Sequence, residues 1–151
     1  MSTPNSGRPG QVDPRGLRVA AAITAVVLAL VLVLPSPARE IVLAVQVAVF
    51  ASAVLVGLHA SPYSFFFRTV VRPRIGAPTE TEDARPPRFA QLVGLIFTVA
   101  ALATLLAGST TVGLVLTAFA LVAALLNATV GLCLGCELYL AFRRLTPARA
   151  V

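Results

Sequence analysis

Cys133 and Cys136 are the only cysteines in the chain, and three positions separate them in Gly131-Leu132-Cys133-Leu134-Gly135-Cys136-Glu137. That C-x-x-C spacing serves two kinds of chemistry. A thiol pair can exchange with a disulfide, one sulfur attacking and the other resolving, or it can supply two ligands to a metal. His59 and Glu137 are the residues that could complete a four-ligand set, but structural zinc sites bring two spaced pairs and only one is present. A third reading needs no chemistry, because free cysteine also packs as a small apolar residue. Helix polarity is the discriminator. A thiolate is favoured at a helix N-terminus and opposed at a C-terminus, and the pair follows a long apolar run whose end is the negative one. Reactive thiols therefore require the helix to break at Gly131 or Gly135, with a new helix carrying Glu137–Arg144, or a compensating charge from His59, Arg143 or Arg144.

The elements that must position this pair are membrane spans. Of 151 residues, 58% are hydrophobic and 12% charged, outside the range of soluble domains. Four runs approach the roughly 20 residues a bilayer-crossing helix needs: about 17–34, 41–58, 89–107 and 112–132. Pro35-Ser36-Pro37 ends the first, and Gly108-Ser109-Thr110-Thr111 forms a tight turn between the last two. The fold class expected is all-α integral membrane. An alternative takes the first run as a signal peptide cleaved near Ser36-Pro37-Ala38, but the run is long for that role.

The net charge of +6 comes from twelve arginines and no lysine. They flank apolar runs rather than forming a soluble basic stripe, so the partner they imply is the bilayer and not nucleic acid. Arg8, Arg15 and Arg18 precede the first span; Arg68, Arg72, Arg74, Arg85 and Arg88 lie in the middle connection; Arg143, Arg144 and Arg149 follow the last span. The two remaining connections hold only Arg39. Both termini and the middle loop are thus expected in the cytoplasm.

The chain also reads as two copies of one hairpin. Pro14-Arg15 answers Pro87-Arg88, and Val56-Gly57-Leu58-His59 answers Val130-Gly131-Leu132-Cys133. Between the copies, Ser61-Pro62 is a helix start with a capping hydroxyl. Tyr63 to Val71, with Phe65, Phe66 and Phe67 set among Arg68 and Arg72, is expected to be a short interfacial helix. Residues from Arg74 to Pro87 read as a loop, 1–13 as a disordered cytoplasmic tail, 14–145 as the transmembrane domain and 146–151 as a second tail. In the fourth span Ala120, Ala124, Asn127, Gly131 and Gly135 share a stripe, expected to pack closely on a neighbouring helix with the Asn127 amide as glue, the alternative being that Asn127 lines a polar path. Gln46 in the second span is given the same structural role. No chain of acids or histidines exists to relay protons through the spans.

These motifs together resemble a bacterial membrane family catalogued as domain of unknown function 4395. Carrying the resemblance are the Pro-Arg openings, Ser61-Pro62-Tyr63, Arg72-Pro73-Arg74, Pro87-Arg88-Phe89-Ala90-Gln91 and Gly131 to Tyr139. It covers about residues 12–144 and implies a neighbourhood of sulfurtransferase and thioredoxin-like genes, hence a soluble thiol partner of that kind. The functional expectation is thiol–disulfide exchange or sulfur handling by Cys133 and Cys136 at the inner face of a bacterial plasma membrane, with no cofactor. A non-catalytic scaffold, a metal-binding membrane protein and a homo-oligomer are the open alternatives.

Overall fold

The computed structural model describes residues 10–146, and it is helical almost throughout. Four long helices run up and down: α1 (Pro14–Val33), α2 (Ala38–Leu55), α5 (Arg85–Leu106) and α6 (Thr110–Val130). All four are long and apolar enough to cross a membrane. All four begin earlier than the hydrophobic runs do, and for two of them the local reason is plain. The Asp13 carboxylate accepts from the Arg15 N–H at 3.0 Å and caps α1, while Pro14 sits where a missing N–H costs nothing. Prolines in the first turn likewise open α5 at Arg85.

Short turns join α1 to α2 and α5 to α6 at one end of the bundle. The connections of the other end carry the remaining elements. After α2, Gly57 takes φ +142° and breaks the helix. A helical stretch then runs through α3 (Pro62–Phe66), one π turn (Phe67–Val71) and α4 (Arg72–Ile75), stopping at Gly76 with φ +79°. This is the expected interfacial helix, prolonged by a turn. Phe67 is buried against Gly16 of α1, whereas Phe65 is 61% exposed among the arginines, as an interfacial helix requires. Ser61 occupies the cap position, but its hydroxyl makes no capping bond, contrary to the expectation from sequence.

One further departure concerns the start of the chain. Gln11–Val12 (β1) pairs antiparallel with Glu82–Asp83 (β2), so residues 10–13 form a clip with the middle loop rather than part of a free tail. The rest of the first tail, 1–9, and residues 147–151 of the second lie outside the described residues.

Packing differs between the two ends of the bundle. Leu28, Val31, Leu43, Ala101 and Leu105 form a solid core near the short turns. There Gly113 of α6 lies so close to α5 that an added Cβ would come within 3.0 Å of the Ala101 carbonyl. At the opposite end the helices are tied by arginines. Arg18 of α1 donates to the carbonyls of Ala128 and Thr129 at 3.3 and 2.9 Å, and Arg88 of α5 donates to the Val54 carbonyl through Nε and Nη2 at 3.0 and 2.6 Å. Both satisfy carbonyls that the ends of α6 and α2 leave unpaired, with the charge sign the helix dipole favours there. The first helix of each hairpin thus caps the second helix of the other.

Gln46 is wholly buried in α2, and its Oε1 accepts from the Tyr63 hydroxyl at 2.6 Å, while Nε2 has no partner. Burial pushes the Tyr63 pKa up, keeping the hydroxyl neutral and donating. Tyr63→Phe would strip Gln46 of this bond and is expected to cost about 1–3 kcal/mol. The fall should be visible as a lower midpoint in thermal unfolding of the detergent-solubilised protein.

Candidate functional site

α6 ends at Gly131, whose φ of +71° is the left-handed conformation that closes many helices. Its N–H and that of Leu132 return to the carbonyls of Asn127 and Leu126 at 3.2 Å each. The chain turns, and a new helix, α7 (Leu134–Leu145), begins within three residues. Of the two break points read from sequence, Gly131 is therefore the one used, and Gly135 lies inside α7.

The break reverses the electrostatics of the thiol pair. Cys133 is the N-cap of α7, and its Sγ accepts from the Cys136 N–H at 3.3 Å. Cys136 is in the first turn. A helix N-terminus carries the equivalent of about half a positive charge, so the sulfur at this position faces the favourable end of a dipole and unpaired N–H donors. Cys133 and Cys136 are joined as a disulfide, with Cα atoms 5.1 Å apart. Glu137 also lies in the first turn, where it opposes a thiolate, but it is exposed and its effect is screened by water.

The other residues weighed as helpers are elsewhere. Arg143 and Arg144 lie in the last turn of α7, roughly 14–17 Å from the N-cap at 1.5 Å per residue. His59 is exposed in the short 3₁₀ turn Leu58–Ala60 after α2, where its carbonyl accepts from Arg68 at 3.0 Å. Among the described residues no three His, Cys, Asp or Glu side chains gather as a metal-holding group.

Small residues and aromatic contacts fix α7 in place. A Cβ added at Gly135 would lie 2.5 Å from the Ala90 Cα of α5 and 2.6 Å from its Cβ, so the two helices touch backbone to backbone. Phe89 of α5 packs tilted against Tyr139 and edge-on against Phe142 of α7, with centroids 5.7 and 6.5 Å away. α7 also exposes Leu138, Leu140 and Leu145 and carries Arg143 and Arg144 in its last turn, a composition suited to the membrane surface.

Behind the disulfide is a cavity of about 800 Å³ between α1, α5, α6 and α7. Cys133 and Cys136 are part of its wall, as are Ala120, Ala124, Asn127 and Gly131. Of the stripe read from sequence, Gly135 makes the close helix contact expected, against Ala90, and Ala120 packs against the core, while Ala124, Asn127 and Gly131 line the space, the Asn127 amide having no side-chain partner among the described residues. Arg18 and Gln91, absent from the sequence reading of the site, share the wall. One trace of the arrangement was present in sequence: Ala90 and Gly94, four apart on α5, are the small residues that admit α7 and the Phe50 ring.

A family profile described as Domain of unknown function (DUF4395) matches residues 12–144. The chain belongs to this family. The DUF4395 match takes in all four long helices, both cysteines and α7 nearly to its end. No curated protein and no solved structure matches the chain.

Proposed function

We propose that this DUF4395 protein is a membrane thiol–disulfide exchanger. It would face the cytoplasm of a bacterium with both termini and the cysteine pair, as the arginine distribution favours. Its partner would be a soluble protein of the thioredoxin or sulfurtransferase kind. The observation that carries the reading is the position of Cys133 at the N-cap of a helix that starts afresh after Gly131. A chain that used its cysteines as filler would have no need to break the helix two residues before them.

Cys133 is the attacking residue in this scheme, because the N-cap sulfur receives the Cys136 N–H and the dipole. Its thiolate attacks a disulfide sulfur of the partner; a new S–S bond forms and the partner's other sulfur leaves as a thiolate. Cys136 loses its proton to solvent and attacks Cys133, releasing the partner's second thiolate and closing the internal disulfide. The partner is reduced by two electrons and the pair is oxidised by two. Run backwards, the same steps oxidise the partner. A sulfurtransferase partner carrying a persulfide would be attacked at its outer sulfur; the persulfide S–S bond breaks, the partner's cysteine leaves as a thiolate, and Cys133 holds the transferred sulfur as a persulfide.

Thiol labelling of membranes tests the reading. Without reductant, Cys133 and Cys136 are expected to resist alkylation; after reduction, Cys133 is expected to alkylate at pH 7 faster than an unperturbed thiol, because the helix N-terminus favours the thiolate. Thiols that stay unlabelled from the cytoplasmic side after reduction, in inside-out vesicles, would defeat the proposal and leave the scaffold role.

A further inference from the structure

The exchange reading assigns no role to the cavity behind the disulfide. Its shape and lining are specific enough to say what it would hold. It follows α6 from Phe119 to Gly131, roughly 18 Å at 1.5 Å per residue, and so runs from the level of the cysteines well into the membrane-spanning part of the bundle. Ala21, Ala90 and Ala124 keep the walls thin, and Phe97 and Phe119 make them apolar. The volume lies within the range of sites for drug-sized ligands.

Its polar groups are few and placed. The fold satisfies Gln46 with Tyr63, yet the Asn127 and Gln91 amides have no such side-chain partner among the described residues and line the cavity instead. Each offers N–H donors to a ligand carbonyl. Arg18 is the only basic residue in the lining, and its guanidinium is engaged by the carbonyls of Ala128 and Thr129. Glu82, Asp83 and Glu137 stand at the end nearest the cysteines and bring no cation to hold an anionic ligand. The Asp83 carboxylate is held ionised by the Arg85 backbone N–H and side chain. The fitting occupant is long, neutral and apolar, carries carbonyl oxygens, and comes from the lipid phase.

We infer that the cavity is a binding site for a membrane quinone, which accepts electrons from the reduced Cys133–Cys136 pair. The inference rests on the exchange reading and completes its cycle. Two S–H bonds break and the Cys133–Cys136 S–S bond forms; two electrons and two protons pass to the quinone, whose two carbonyl oxygens become the hydroxyls of the hydroquinone. The net traffic is from a soluble dithiol, through the cysteine pair, into the lipid phase.

The test uses the full-length protein in nanodiscs of synthetic lipid free of quinone, reduced and then freed of reductant without oxygen. Decylubiquinone is added, and quinone absorbance and free thiols are followed together. The expected result is one quinone consumed and two thiols lost per protein. Ala124→Phe, which fills the cavity, and Asn127→Ala, which removes a donor, should each slow that reaction at least tenfold; circular dichroism confirms that both variants are folded. Quinone reduction at the wild-type rate in both variants would overturn the assignment of the site. A wild-type protein that exchanges with oxidised glutathione but leaves decylubiquinone untouched would overturn the inference, mark the cavity as a space for acyl chains, and leave the exchange reading standing. A wild-type protein that does neither would remove both.

Discussion

Cys136→Ser is expected to convert the protein into a trap. Cys133 keeps its place at the start of α7 and still attacks, but no second sulfur remains to release the partner. A mixed disulfide should accumulate in cells, visible as a band of higher mass on non-reducing gels that disappears on reduction. Cys133→Ser should give no such band, since the remaining thiol lies inside the first turn rather than at the cap. Loss of either cysteine should reduce net exchange by at least a hundredfold, because a one-thiol protein cannot complete the two-step transfer. The asymmetry between the two variants separates chemistry from structure. A purely structural disulfide would be lost equally in both, with no adduct in either.

The second large effect is expected at a residue that has no reactive group. Gly135→Ala adds one carbon, and that carbon meets the backbone of α5 at Ala90, which cannot rotate away as a side chain could. Relief requires α7 to move off α5. Overpacking of this kind costs about 1–3 kcal/mol, and here it falls on the helix that carries both cysteines. Exchange should fall at least tenfold, with faster amide hydrogen exchange across α7. Gly76→Ala is the control. It instead forces a positive φ on alanine, at +79°, while nothing lies within 4 Å of the added carbon. It should lower stability by about 1 kcal/mol and leave exchange intact. Equal loss of exchange in the two variants would mean that general stability, rather than the seat of α7, governs the thiols.

The four long helices were legible in the sequence because hydropathy and proline report them directly, and the bilayer demands so many apolar residues in a row. Their starts were less so. The Asp13 cap and the proline-rich first turn of α5 add polar residues that a hydrophobic window discards. Near the cysteines the sequence offered the right alternatives without choosing among them. A glycine announces that a helix can stop, and both Gly131 and Gly135 do; only the contact of Gly135 with Ala90 shows which one is needed for packing. The cavity was hidden for a different reason. Small residues at helical spacing produce either a tight contact or a space, and the outcome depends on what the facing helices supply. Around Ala124 and Asn127 they supply too little to fill it. The ties from Arg18 and Arg88 bridge positions 110 and 34 residues distant, beyond the reach of any local pattern.

The left-handed turn at Gly131 changes how such sequences should be sorted. Leu132 and Cys133 follow it directly, so the residue that inverts the field at the sulfurs stands two places before the first of them. A search that scores only C-x-x-C would count as competent any variant with both cysteines on one unbroken helix, where backbone carbonyls rather than amides would meet the sulfur. The meaningful word is six letters long, G-x-C-x-G-C. Its first glycine sets polarity, its second sets distance, and a chain that spells the cysteines but not the glycines should be filed among the inert.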